Sequence, residues 1–253
     1  MTGLVRKATL LTACGLLAAA SAFAAVPSPA SCTVPCAIVL VGHNAGATTA
    51  DPYGQFVVVV KDATNSPLNS ATVTVDFSSC CPGIKLSNTQ LGVGVSHVAN
   101  SAIATGLTDV TGTATFRIEG GAAGAVSFLT GSAGCANISA TPNGSVTPVL
   151  LTNGIDHPTV IVSVPDLAGT VGTTGVDITD LAFFIGDKNA FTANNANYRQ
   201  RSDFDFHLPA FNCVAVFNPS SGFGDNLGDL SQWISVKNAG GSFGNGPFPV
   251  TCP

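Results

Sequence analysis

Acidic and basic side chains are scarce in this sequence, and glutamate is nearly absent. Charged residues make up 9% of the 253 positions, and Glu119 is the single glutamate. A helical cytosolic enzyme usually carries many more charges, whereas abundant Gly, Ser, Thr, Asn and Val are typical of an extracellular β protein. The net charge of −5 provides no basic surface for nucleic acid. The composition therefore favours a β-rich protein that does not bind nucleic acid.

Aromatic residues and paired carboxylates are also in short supply. Residues 33–160 contain no Trp and only Tyr53, so an exposed aromatic platform for sugar rings is not expected there. Glycoside hydrolysis generally needs two carboxylates flanking the substrate. Beside Glu119, that region offers only aspartates placed mostly in turns, namely Asp51, Asp62, Asp76, Asp109 and Asp156. His43, His97 and His157 are scattered on loop-like segments, so no catalytic site is predicted.

Long hydrophobic runs are missing as well. A membrane-spanning helix needs roughly 20 apolar residues, and the run from Ala8 to Ala20 is shorter. Arg6 and Lys7 precede this run, and Ala22-Phe23-Ala24 follows it as a small-residue cleavage site. This order predicts a signal peptide over residues 1–25 and a secreted, extracellular or cell-surface protein without a membrane span. The alternative is a lipoprotein box ending at Cys14, although most of the apolar run follows that residue.

Cysteines are expected to form disulfides in an exported protein. Five of the seven beyond residue 25 lie in the first part of the chain, so they cannot all pair among themselves, and their connectivity stays open. The alternative for Cys32-x3-Cys36 with Cys80-Cys81 is a zinc site, although no His lies at ligand spacing. The remaining pair, Cys213 and Cys252, is the simplest C-terminal bridge.

Residues 33–160 show the spacing of an antiparallel β-sandwich. Short runs rich in β-branched residues alternate with Gly, Pro, Asn and Asp clusters. Val73, Val75 and Phe77 should face one way, with the intervening residues facing the other. The predicted strands are Ala37–Val41, Gln55–Lys61, Ala71–Phe77, Ser101–Thr105, Gly112–Ile118, Gly124–Thr130, Ala136–Thr141 and Thr159–Val164.

Two motifs in this region resemble bacterial Ig-like repeats of the invasin (Big-1) type. The first is Phe56-Val-Val-Val-Val-Lys-Asp-Ala-Thr-Asn-Ser-Pro-Leu68 followed by Ala71-Thr-Val-Thr-Val75, and the second is Thr108-Asp-Val-Thr-Gly-Thr-Ala-Thr-Phe116. The resemblance implies an Ig-like sandwich that serves as a structural or adhesive spacer.

The region from 165 to 253 contains an internal repeat. The segment Asp177-Ile-Thr-Asp-Leu-Ala-Phe-Phe-Ile-Gly-Asp-Lys188 aligns with Asn226-Leu-Gly-Asp-Leu-Ser-Gln-Trp-Ile-Ser-Val-Lys237. After each Asp-Leu, apolar residues fall at i, i+3 and i+4, which predicts two helical stripes: Leu181, Phe184 and Ile185, then Leu230, Trp233 and Ile234. Each unit, about 166–190 and 203–238, is therefore predicted to be a loop that enters a short helix.

Such tandem loop-helix units ending in Asp-Leu resemble a dockerin, a duplicated half EF-hand. The resemblance implies calcium held by oxygen ligands, here Asp166, Asp177 and Asp180 in the first copy and Asp203, Asp205, Asn226 and Asp229 in the second. Both loops are longer than the family pattern. The alternative keeps the helices without the ion: Asp180 and Asp229 would be N-caps, and a Cys213–Cys252 bridge would stabilise the small core.

These features predict a mainly β fold with a small α-helical C-terminal domain, and a non-catalytic extracellular protein whose dockerin-like module binds another secreted or surface protein. The resemblance places the partner contacts at Ile178-Thr179 and Leu227-Gly228, which differ from the usual Ser/Thr pairs, so the partner is a cohesin-like or another protein. The alternatives are a surface adhesin or carbohydrate-binding protein that contacts polysaccharide and, with less support, a hydrolase in a polysaccharide-degrading system.

Overall fold

The strands of this protein follow from period-two alternation of apolar and polar residues, which is clearest in β3. Val73, Val75 and Phe77 are fully buried, whereas Thr72 and Asp76 are half-buried. The alternation predicted for this strand is therefore confirmed. The computed structural model describes residues 25–40, 55–80, 84–91, 94–97, 101–122, 134–164 and 178–193, together with Leu230, Trp233 and Ile234.

The described residues are mainly β, with one long helix, α1 (Ile178–Ala193). The strands are β1 (Ala37–Val39), β2 (Gln55–Val59), β3 (Thr72–Asp76), β4 (Ile84–Leu91), β5 (Val95–His97), β6 (Ile103–Leu107), β7 (Thr113–Ala122), β8 (Asn137–Thr141), β9 (Val149–Leu150) and β10 (Ile161–Ser163). Seven of the eight predicted strands are present, with shorter or shifted ends. The eighth, Gly124–Thr130, lies outside the described residues, and β4, β5 and β9 were not predicted.

Two antiparallel sheets contain most of the strands. One has the order β5-β6-β3-β8-β9, and the other has the order β2-β7-β4. β2 and β7 pair without a break from Gln55↔Arg117 to Val59↔Thr113. The pairing of β4 with β7 changes register between Leu86 and Leu91. The antiparallel sheets predicted from the sequence are thus confirmed for these strands.

The two sheets share one hydrophobic core. Phe116 of β7 is fully buried and stacks on Phe56 of β2, with ring centroids 5.2 Å apart. Across the core, a methyl group added to Gly106 of β6 would lie 3.0 Å from the Phe116 ring. That distance is shorter than ordinary van der Waals contact, so the two sheets pack closely at this point.

The third sheet departs from the antiparallel prediction. β1 and β10 pair in parallel, with Ala37 opposite Ile161 and Val39 opposite Ser163. All three residues of each strand are buried, which is usual for parallel strands covered on both faces. Parallel strands are joined by long connections rather than by a hairpin. The first and last described strands of the β region, which are far apart in sequence, can therefore pair with each other.

The folded region begins before residue 33, the predicted domain boundary. Pro27 is buried, and the Ser28 N–H donates to the Lys61 carbonyl at 2.9 Å. Thr33 then pairs with Val59 at the edge of β2. The chain is therefore part of the β structure within a few residues of the predicted signal cleavage site. The signal peptide itself lies outside the described residues.

Candidate functional site

Helix α1 belongs to the first copy of the predicted loop-helix repeat, and one of its side chains contacts the β core. Phe183 lies against the hydrophobic cluster of the sheets, and Asp180, Phe184 and Asp187 are buried. These positions fall on one side of a helix that turns about 100° per residue. The opposite side is exposed and contains Ile178 and Ile185, at 72% and 46% exposure.

The predicted stripe of Leu181, Phe184 and Ile185 is therefore only partly correct. Phe184 is buried and Leu181 is half-buried, but Ile185 is exposed. Because Phe183 contacts the β core, the inward side of the helix is centred between Phe183 and Phe184, and Ile185 is turned away. An i, i+3, i+4 pattern does not reveal this rotation when the preceding residue, here Phe183, is also a large apolar side chain.

The two copies of the repeat have matching burial at equivalent positions. Leu181 and Leu230 are half-buried. Phe184 and Trp233 are 1% and 2% exposed, while Ile185 and Ile234 are 46% and 43% exposed. Residues 230, 233 and 234 are helical. The repeat found in the sequence thus places corresponding side chains in similar environments, and the isoleucine at the equivalent position of each copy is exposed.

Asp180 is the one predicted metal ligand among the described residues. It is fully buried and lies in the first turn of α1. The helix starts at Ile178, so Asp180 is not its N-cap, and that alternative is wrong for this copy. A carboxylate in the first turn interacts favourably with the helix dipole. The other predicted ligands lie outside the described residues: Asp166, Asp177, Asp203, Asp205, Asn226 and Asp229.

Asp187 is a second buried carboxylate on the same side of α1, and the sequence analysis did not single it out. It is 6% exposed and lies two turns after Asp180. Aspartate is rarely buried unless it is paired, so we interpret Asp187 as a residue that stabilises the position of the helix. The signal was its i+7 spacing from Asp180. Within the described ranges, no group of three His, Cys, Asp or Glu residues is arranged to hold a metal ion.

The cysteines of the β region answer part of the pairing question. Cys80 and Cys135 form a disulfide, and Cys36 is also disulfide-bonded. Cys32 is a buried free thiol, so one cysteine of this group is indeed unpaired. The zinc alternative is wrong because Cys36 and Cys80 have no thiolate to offer a metal. Cys213 and Cys252 lie outside the described residues.

The Cys32 thiol is hydrogen-bonded to the backbone of Lys61, which lies two residues after the end of β2. Its Sγ accepts from the Lys61 N–H at 3.4 Å and lies 3.5 Å from the Lys61 carbonyl. Burial raises the pKa of this thiol above its ordinary value, and hydrogen bonds to the backbone oppose the shift. A thiol with a raised pKa is a weak nucleophile, so Cys32 has the character of a core residue.

The described histidines and aspartates make local structural contacts. Nε2 of His97 lies 2.8 Å from the Ser101 carbonyl, and Nε2 of His157 lies 3.0 Å from the Pro29 carbonyl. His157 thereby connects the N-terminal segment to the loop before β10. His43 lies outside the described residues. Among the described residues, both imidazoles contact backbone carbonyls and neither contacts a hydroxyl or a carboxylate, in contrast to a nucleophile–base pair.

Asp62 and Asp109 occupy two turns of the same design. Oδ1 of Asp62 accepts from the Thr64 hydroxyl at 2.7 Å and from the Ser66 N–H at 2.9 Å. Oδ1 of Asp109 accepts from the Thr111 hydroxyl at 2.6 Å and from the N–H four residues on at 3.0 Å. The threonine hydroxyls are the main cause of a lowered pKa at both carboxyls, which stay ionised as turn acceptors.

Neither a membrane-spanning helix in the described residues nor a similar known protein identifies the chain. Across the described residues, no helix combines the length and apolar character needed to cross a membrane. Comparisons with protein-family models, with curated proteins and with solved structures find no match to this chain.

Proposed function

We propose that this chain is a non-catalytic extracellular protein in which an Ig-like β-sandwich carries a calcium-dependent, dockerin-like module that docks onto another secreted or surface protein. The observation that carries the proposal is the matched burial of the two repeat copies. Phe184 and Trp233 anchor them, and Ile185 and Ile234 are left exposed at equivalent positions.

The exposed isoleucines support a protein-binding role. An exposed isoleucine on one helix is common, but here the same exposure occurs at the same position of a duplicated unit. Ile178 lies on the same side of α1 as Ile185, seven residues earlier, and is 72% exposed. Together they give the helix an apolar outer side, while two aspartates lie on its buried side. Apolar side chains clustered on an accessible surface favour association with another protein.

The donor chemistry of the module fits calcium. Asp180 is buried in the first turn of α1, directly after the segment of the sequence that carries Asp166 and Asp177. Hard calcium ions take several oxygen ligands from carboxylates, amides and the backbone. The seven proposed ligands supply six carboxylates and one amide. When bound, the ion would hold each loop against its helix, and the outer helix residues would make the partner contact.

Extracellular placement is supported by the cysteines. The Cys80–Cys135 bridge and the bonded Cys36 require an oxidising compartment in most organisms. The aromatic residues argue against the carbohydrate-binding alternative. Phe56, Phe77 and Phe116, the three aromatic side chains in the described β region, are all buried. The proposal includes no hydrolase activity, since Asp62 and Asp109 accept hydrogen bonds within their own turns and Asp156 accepts from Asn153.

A binding experiment with surface variants tests the docking proposal. The full chain is immobilised and exposed to the secreted and surface proteins of its source organism, in calcium chloride or in chelator. We expect a discrete partner in calcium, lost in chelator and lost in the variant I185D/I234D. The matched control L107D/V110D changes two exposed aliphatic residues of the β region, at 64% and 76% exposure, and should retain the partner. Equal capture by both variants, or none by the unmodified chain, would contradict the proposal.

A further inference from the structure

Two Asn-Gly dipeptides lie in the described residues, and they differ in how their reacting atoms are held. In such a dipeptide, the glycine nitrogen attacks the asparagine side-chain carbonyl carbon, ammonia leaves, and a five-membered succinimide forms. Water then opens the ring to aspartate or isoaspartate, so the net reaction exchanges ammonia for water. The reaction requires a side-chain amide and a following N–H that are both free to approach each other.

Asn143 and Gly144 form the turn between β8 and β9, and both are exposed. The turn is closed by the Ser145 N–H, which donates to the Pro142 carbonyl at 3.0 Å. Gly144 has φ +79 and has nothing within 4 Å of the position of a Cβ. Among the described residues, neither the Asn143 side chain nor the Gly144 N–H has a hydrogen-bond partner. Both reacting groups are therefore accessible and unrestrained.

Asn153 and Gly154 have the same two residue types and nearly the same glycine φ, +77. The Asn153 Oδ1 accepts from the N–H groups of Ile155 at 2.9 Å and Asp156 at 2.8 Å. Its Nδ2 donates to the Asp156 carboxylate at 2.8 Å. The nucleophilic Gly154 N–H donates to the His157 carbonyl at 2.9 Å. Both reacting groups are engaged, so local opening must precede reaction.

We propose that Asn143 is a site of spontaneous deamidation in the folded protein and that the fold protects Asn153. Conversion adds a negative charge to the β8–β9 turn. The isoaspartate product also inserts one methylene into the main chain there. The modification needs no enzyme and no reagent other than water, so it accumulates with the age of the protein.

One tryptic peptide tests the proposal, because no Lys or Arg lies between Arg117 and Lys188. This peptide contains both asparagines, and fragment-ion sequencing assigns the mass change to one of them. The folded protein is aged in mildly alkaline buffer, and a parallel sample is aged after reduction in guanidinium chloride. We expect Asn143 to convert about tenfold or more faster than Asn153 in the folded sample, since several hydrogen bonds protect Asn153. In the denatured sample, the two rates should be similar.

Two further outcomes decide the question. The N143Q variant should show no mass gain at residue 143 and an unchanged slow rate at Asn153. Equal rates at both sites in the folded sample would overturn the proposal. The same holds if Asn143 converts in the denatured sample but stays unchanged in the folded one.

Discussion

The disulfide between Cys80 and Cys135 gives the most quantitative prediction about stability. The variant C80A/C135A removes a cross-link that joins residues 55 positions apart. In the chain-entropy model, opening a loop of this size costs about 4 kcal/mol at room temperature. Folded domains are stable by about 5–15 kcal/mol. We therefore expect the variant to lose a large share of the stability of the β region.

The free thiol provides the control for packing. Cys80 is fully buried and Cys135 is 9% exposed, so the double variant also loses two buried sulfur atoms. The variant C32A removes one buried sulfur, at 6% exposure, without breaking a bridge. Twice the loss measured for C32A estimates the packing contribution, and the remainder is the effect of the cross-link. We expect C32A alone to lose about 1 kcal/mol, as for a small buried group.

Urea unfolding followed by intrinsic fluorescence or circular dichroism measures both variants. With a typical slope of about 2 kcal/mol per molar urea, the double variant should unfold at a midpoint lower by about 3 M, of which about 2 M is due to the cross-link and about 1 M to lost packing. Reductant should lower the midpoint of the unmodified chain and leave that of the double variant less affected, because only the bridge at Cys36 remains in the described part. A cross-link contribution below about 1 kcal/mol would refute the reasoning.

The remaining predictions concern the turns and the core. Lowered pKa values at Asp62 and Asp109 mean that the unfolded chain binds more protons as the pH falls through the ordinary value of 3.8. Their stabilisation is therefore present above that pH and lost as the pH falls through the lower folded values. Acid unfolding of D62N/D109N should show a flatter acid limb, and an unchanged profile would contradict this. G112A should lose about 2–3 kcal/mol, because Gly112 has φ +75 and an added Cβ would lie 2.5 Å from the Val60 carbonyl. G144A, at a similar φ in open space, should lose about 1 kcal/mol, and equal losses in thermal unfolding would contradict the steric argument. F116A should lose about 3–5 kcal/mol by the same assay, since its ring is fully buried.

Local patterns in the sequence were enough to find most strands and turns. β3 alternates strictly, and the Asp62 and Asp109 turns carry hydroxyl residues at the positions that donate to the carboxylate. β4 was missed because its second half, Ser87 to Gln90, is polar and lies where the pairing with β7 changes register. The parallel pairing of β1 with β10 depends on contacts between distant segments, which no local pattern records.

The sequence predicted the duplicated unit of the candidate site, but it did not predict which side of α1 is buried. Equivalent positions could be aligned from the sequence, and their matching burial agrees with that alignment. The rotation of α1 depends on Phe183, whose contact with the β core is a tertiary effect. Disulfide pairing is likewise a matter of three-dimensional proximity: five cysteines allowed several connectivities, and the fold brings Cys80 to Cys135.

The most direct test of the central claim is a calorimetric titration of the full, chelator-treated chain with calcium chloride, paired with thermal unfolding in calcium and in chelator. Calcium-dependent docking predicts heat of binding, and it predicts a melting temperature that is lower in chelator by several degrees. Binding to the folded state alone adds about 2.7 kcal/mol when free calcium is about 100 times the dissociation constant. No heat of binding together with identical melting in the two buffers would contradict the account.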